Sequence, residues 1–270
     1  MIRIAEDIDM TTQTIQTTRQ ADRDRFFTMA ECYDRMAGYV VPRYDWLQNE
    51  LIALLFADGV EDKLIVDLGA GSGILLDKIL TRHPAARAVW VDFSDDFQAV
   101  ARRRLARHGR RVQFALAPLE NAWQDCLGEA PDAVVSMSAI HHLDTAGKRE
   151  LYGRIFAVLR PGGWFYNVDE TSTLYDDAYR NTLAYWVRHV DEIRQKVPPT
   201  LQEACGQFCE KFDGWKRRNL SGDQRAKVAG DDIHEDFLEQ MRWLRQAGFA
   251  EVDLFLKFQL WSAFGGRKAQ

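Results

Sequence analysis

Lys63-Leu64-Ile65-Val66-Asp67-Leu68 is an apolar run that stops abruptly at Gly69-Ala70-Gly71-Ser72-Gly73. A short run without alternation is what a strand buried on both faces of a parallel sheet looks like. Glycines at the turn that follows let the backbone approach a ligand closely, and a helix from Ile74 to Arg82 offers free N–H groups at its start. The glycines fall at i, i+2 and i+4, and Ile74 stands where the dinucleotide fingerprint has its third glycine. Asp67 would face the negative charge of a pyrophosphate; it suits a ligand with a cationic amino-acid end. A nicotinamide oxidoreductase is therefore the weakest reading.

Downstream, a second apolar run, Ala88–Val91, ends at Asp92. Helix is expected over Asp95–His108, strand over Val112–Ala115 and Ala133–Met137, helix over Ala146–Leu159, and strand over Trp164–Val168. This alternation implies a doubly wound, Rossmann-like α/β sheet with right-handed crossovers. Upstream, Phe26–Phe56 reads as two helices broken around Pro42. Beyond Asp169 the rhythm changes. Tyr179, Leu183, Trp186, Val190, Ile193 and Val197 form the stripe of an amphipathic helix that Pro198-Pro199 ends. A helix over Leu201–Phe212, a loop (DGWKRRNLSGDQ), a helix over Asp231–Ala247 ending at Gly248, and a C-terminal antiparallel hairpin follow. The expected layout is an N-terminal arm and helix (1–36), a ligand-binding core (37–170), a helical lid insertion (171–230), and a closing helix with hairpin (231–270). Residues 1–25 read as a Thr/Gln-rich arm.

With 46% hydrophobic and 28% charged residues in 270, a substantial core is available. A net charge of −5 argues against a surface given over to nucleic acid. Neither a secretory h-region nor a membrane span is visible, so a cytoplasmic protein away from membranes is expected. Cys32, Cys126, Cys205 and Cys209 are scattered, with no second pair or His at zinc-ribbon distance; structural thiols and no metal are expected.

Asp92, at a strand end, stands where an acid accepts bonds from ribose hydroxyls in nucleotide folds; simple strand-end capping is the plainer alternative. His141 and His142 follow the fourth strand, where an imidazole accepts a proton near neutral pH or only bonds backbone at a helix start. Asp169 ends the fifth strand and either orients a histidine or substrate cation or caps the next segment. Glu170, alternating away from it, ranks lower. Tyr185 lies off the core stripe of its helix and could face the cavity, whereas Trp186 lies on it. Lys211, Lys216, Arg217 and Arg218 form a solvated face or receive a carboxylated or phosphorylated substrate.

DLGAGSG, Asp92, VVSMSAIHHL and LRPGGWFYNVD stand in the order found in class I S-adenosylmethionine methyltransferases, and the chain resembles that family over nearly its whole length. The resemblance implies S-adenosylmethionine as cofactor, and the lid insertion and acidic net charge favour a small-molecule acceptor. It places Asp67, Gly69, Ala70 and Gly71 against the methionine part, and Asp92 on the ribose. Phe93, Leu119 and Met137 complete the cofactor site, with Pro118 where many relatives carry an acid. VPRYDWL, the helical insertion and RQAGFAEVDLFLKFQLWSAFGGRKA are similar to the group containing carboxy-S-adenosylmethionine synthase. That likeness implies a cofactor contact for Tyr44 and a carboxylate grip for Arg225. The synthase, acting on S-adenosylmethionine and prephenate, stays open beside the methyltransferase, although DLGAGSG has the ordinary methyltransferase form. RNA modification is a further alternative. Relatives with such a lid often pair, and exposed aromatics suit a homodimer.

Overall fold

The computed structural model describes residues 29–220 and 232–270, the side chain of Arg218 aside. The expected N-terminal arm and Arg225 lie outside the described residues. The first strand, β1 (Leu64–Leu68), is buried at every position. Leu64, Val66 and Leu68 enter one apolar cluster and Ile65 the other. Helices cover both faces, so no polar alternation survives in the sequence.

β2 (Arg87–Asp92) and β4 (Ala133–Met137) flank β1 in parallel register. β3 (Val112–Leu116) pairs with β2, and β5 (Trp164–Glu170) with β4. β6 (Ala250–Phe258) and β7 (Trp261–Arg267) form the antiparallel hairpin, with β7 laid antiparallel on β5. The sheet order is β3-β2-β1-β4-β5-β7-β6. Strand order reverses between β1 and β4, and in such sheets ligands bind at the carboxyl ends beside that reversal.

α1 (Ala30–Val40) and α2 (Tyr44–Leu55) are separated at Pro42, where Arg43 turns with φ 59°. They share one face of the sheet with α3 (Ile74–Arg82), α4 (Asp95–Leu105), α6 (Asp176–Lys196) and α7 (Gln202–Leu220). α5 (Thr145–Val158) and α8 (Phe237–Ala247) cover the other. No described helix is long and apolar enough to cross a membrane.

Two expected boundaries are corrected. The loop expected after Phe212 is helix to Leu220. Trp215 continues the stripe of Phe208 and Phe212, stacks on Phe212 at 5.1 Å, and meets Trp186 at 4.6 Å. Burying that indole outweighs the roughly 1 kcal/mol cost of Gly214 inside a helix. The helix expected from Asp231 starts instead at Phe237. Asp236 caps it by accepting from the N–H groups of Leu238 and Glu239. Residues 232–236 run outside the helix, bound elsewhere: the Ile233 N–H donates to the His141 carbonyl at 2.8 Å, and the Ser172 N–H donates to the Glu235 carbonyl at 3.1 Å.

Candidate active site

β1 leads into the glycine loop through Gly69 at φ 70°. A Cβ at Gly69 would lie 2.3 Å from the Cβ of Ala139. Only glycine lets this loop pass so close to the segment after β4. The N–H groups of Gly69 and Ala70 donate to the Val91 carbonyl at 2.8 and 3.0 Å. The Trp90 indole N–H donates to the Gly71 carbonyl at 2.8 Å, and the Gly71 N–H donates to the Asp92 carboxylate at 2.9 Å. The loop is thereby strapped to the end of β2.

Asp67 and Asp92 end up buried beside each other. Burial pushes the Asp92 carboxyl up to about 6, even though it accepts from Gly71 and Ser94 N–H groups. Burial, then the charge of Asp92, push Asp67 up to about 8. Among the described residues the Asp67 carboxylate has neither a hydrogen-bond partner nor a cation to offset its charge. Ser138 follows β4 in the left-handed region at φ 52°, and its buried hydroxyl also lacks a partner among the described residues. Tyr44 is buried, and desolvation holds its phenol well above the ordinary value, with the charges of Tyr33 and Asp67 adding to the shift. Leu119 is buried, while Phe93, Pro118 and Met137 are half-buried around the ends of β2, β3 and β4.

The second constellation lies at the ends of β4 and β5. The Ser138 N–H donates to the Val168 carbonyl at 2.9 Å, tying the post-β4 segment to β5 before the short turn Ile140–His142. His141 Nδ1 lies 2.6 Å from Asp169 Oδ1, and the His141 backbone N–H donates to Asp169 Oδ2 at 3.0 Å. Burial acts to raise the Asp169 carboxyl; the His141 ring, by charge and hydrogen bond, outweighs it and holds the group below its ordinary value. His141 Nε2 lies 3.7 Å from Asp232 Oδ1, and His142 Nδ1 lies 3.3 Å from the same oxygen. Burial opposes ionisation of Asp232 as well, but His142, His141 and His234 together hold it far below the usual carboxylate range.

His141, His142 and Asp169, singled out in the sequence, are thus brought together. Tyr185 is not brought to them. It packs edge-on against Phe258 of β6 with centroids 5.9 Å apart, and no hydrogen bond, ion pair or ring contact joins it to the histidines. Glu170, ranked low, is buried with Oε2 3.1 Å from His234 Nε2. Sequence reasoning missed Asp232 and His234 because it placed their surroundings in or beside a helix. The spacing Asp232-Ile233-His234 was the available signal: in extended chain, residues two apart face the same way. Tyr33 was also missed. Desolvation raises its phenol, and the charges of Glu170 and Asp169 raise it further, which puts α1 within reach of this cluster.

Residues 65–163 match the family described as methyltransferase domain. Over 127 residues the chain is 34% identical to a malonyl-[acyl-carrier protein] O-methyltransferase of Geobacter sulfurreducens, covering 47% of this chain and 45% of that protein. It is 23% identical over 109 residues to a carboxy-S-adenosyl-L-methionine synthase of Yersinia pseudotuberculosis, covering 40% of this chain and 45% of that protein. The matched stretches therefore span under half the length of both relatives. An O-methyltransferase family protein from Burkholderia thailandensis has the same fold, with a TM-score of 0.58 at 21% identity over 92% of this chain and 60% of that one. Residues 65–163 are a class I S-adenosylmethionine-dependent methyltransferase domain, and S-adenosylmethionine is the cofactor of that class. The residues present fit it. Among the described residues no cation faces Asp67, the carboxylate of Asp92 closes the glycine loop, and the close packing at Gly69 leaves no room for a side chain.

Proposed function

We propose that the protein transfers a methyl group from S-adenosylmethionine to a small-molecule acceptor, with His141 receiving the acceptor's proton. The observation that carries this is the pair of buried acids, Asp67 and Asp92, at the glycine loop. Asp67 would bind the ammonium end of the cofactor, and Asp92 the ribose hydroxyls. Tyr44, Ala70, Gly71, Phe93, Pro118, Leu119 and Met137 would line the remainder. When bound, the cofactor supplies an electrophilic methyl on a sulfonium. Little acid–base chemistry is needed beyond removing a proton from the attacking hydroxyl, amine or carbon acid. Asp169 presses a proton onto His141 Nδ1, which leaves the Nε2 lone pair to act as base. His142 would support the site through Asp232.

The insertion expected over 171–230 would act as a lid, since its described helices α6 and α7 pack on the same face of the sheet as α1 and Trp261. Exposed Leu174 and Tyr175 are the surface we would assign to a homodimer contact.

The test is native mass spectrometry of the purified protein, then calorimetry with S-adenosylhomocysteine, then incubation of the S-adenosylmethionine complex with acceptor candidates. One adenosyl ligand per chain and a product heavier by one methyl group support the reading. No adenosyl ligand, bound or taken up, would sink it. Release of a carboxylated cofactor would move the chain to the synthase reading, which its likeness to the Yersinia relative keeps in view.

A further inference from the structure

The sequence suggested no metal, because its cysteines are scattered and no histidine or second cysteine pair stands at a zinc-ribbon distance from them. Folding changes that. Glu170, Asp232 and His234 each bring one donor atom to a common point, all within 4.8 Å of one another. We propose that these three side chains hold a divalent transition-metal ion.

The geometry is that of a site needing small closure. Metal–nitrogen and metal–oxygen bonds of about 2.0–2.2 Å put neighbouring ligand atoms roughly 3–3.5 Å apart in a four-coordinate site. Glu170 Oε2 and His234 Nε2 are already 3.1 Å apart. The His234 ring is fully enclosed, and its other nitrogen, Nδ1, lies 2.6 Å from the Tyr179 hydroxyl. A metal-binding imidazole is usually oriented through its second nitrogen in this way. Asp232 and His234 stand two residues apart in non-helical chain held by the Ile233 N–H bond to the His141 carbonyl. The buried ammonium of Lys148 fixes the same segment, donating to the Ile233 carbonyl at 2.5 Å.

Charge supports the assignment. Three carboxylates, of Asp169, Glu170 and Asp232, are withdrawn from water around this point, with side-chain exposures of 2%, 5% and 13%. The imidazoles of His141, His142 and His234 already face these anions, and a divalent cation would balance Glu170 and Asp232 directly. One imidazole and two carboxylates span the preferences of zinc(II), iron(II) and manganese(II). The ligand set leaves His141 to Asp169, so the ion and the proposed base coexist. If methyl transfer is the reaction, an ion here favours an acceptor that binds metal through oxygen. That consequence rests on the functional reading; the ion does not.

The experiment strips metal from the full chain with a chelator and titrates it with zinc(II) by calorimetry, then with manganese(II) by electron paramagnetic resonance. The expected result is one zinc per chain. Binding should weaken at least tenfold in Asp232→Asn and in His234→Gln, and be unchanged in His83→Gln, whose ring pairs with Glu61 away from the cluster. Manganese should give a bound signal that zinc displaces. Circular dichroism and S-adenosylhomocysteine binding on the same samples separate lost ligands from lost fold. They also keep failure of the cofactor reading distinct from failure of the metal reading. No stoichiometric zinc binding, or binding indifferent to both folded variants, overturns the proposal.

Discussion

His141 and Asp169 are joined twice, through ring nitrogen and backbone N–H, to the two oxygens of one buried carboxylate. The double bond fixes both the position of the turn after β4 and the rotation of the imidazole. In Asp169→Asn the amide can accept only one of these bonds, so one buried donor loses its partner. We expect a loss of about 1–3 kcal/mol in a urea titration. With an acceptor in hand, turnover should fall by roughly 10²-fold or more while affinity for S-adenosylhomocysteine is retained. A variant with native turnover would mean that His141 is not the base.

Gly69 and Ala139 give a second, sharper test. An added Cβ at Gly69 would sit 2.3 Å from that of Ala139, in backbone at φ 70°. Gly69→Ala should therefore displace the loop, weakening S-adenosylhomocysteine binding more than tenfold and lowering the melting temperature. Adding Ala139→Gly removes the clash but leaves the left-handed backbone, a strain of about 1–2 kcal/mol. Calorimetry on the double variant should show partial recovery of affinity, and no recovery would locate the defect elsewhere.

The sheet was legible because a strand covered on both faces has to be apolar throughout, and because the glycine loop and Asp92 lie within about two dozen residues of each other. His141, His142 and Asp169 were legible for the same reason: each ends a strand or follows one directly. The cluster around Asp232 was not. Its members come from β5 and from a segment some sixty residues later, and only the fold makes them neighbours. The acidic run before α8 resembled a helix start because Asp236 is indeed a cap; the residues just before it are held by backbone bonds to His141 and Ser172, which no local pattern reveals. Trp215 carries the aromatic stripe of α7 into a stretch expected as loop, and its packing on Phe212 and Trp186 is a tertiary contact that no local pattern reveals.

Trp186 is the anchor of α6. It meets Phe212, Trp215 and Trp261 edge-on, and its indole N–H donates to the Val40 carbonyl at 2.8 Å. One side chain thus joins α6, α7, β7 and the end of α1. Trp186→Ala should cost about 3–5 kcal/mol in chemical denaturation. Limited proteolysis should then cut within 171–220 before it cuts the sheet. Uniform loss of the whole fold at once would show that these helices are inseparable from the core.

Asp67 makes stability and cofactor affinity respond to pH in opposite directions. Its carboxyl is pushed from 3.8 up to about 8 by burial and the neighbouring Asp92, so the folded chain holds this proton more tightly than the unfolded one. Stability from this group is complete below about pH 4 and is lost as pH rises toward 8. The melting temperature of the ligand-free protein should accordingly fall between pH 6 and about 8.5, and Asp67→Asn should flatten that slope. A bound ammonium favours the ionised carboxylate. Cofactor binding near pH 7 should therefore release a proton, measurable by calorimetry in buffers of different ionisation enthalpy, and affinity should climb as pH approaches 8. Asp67→Asn should abolish the release and bind more weakly. Binding that carries no proton in the native protein would mean the ammonium end is held by some other group.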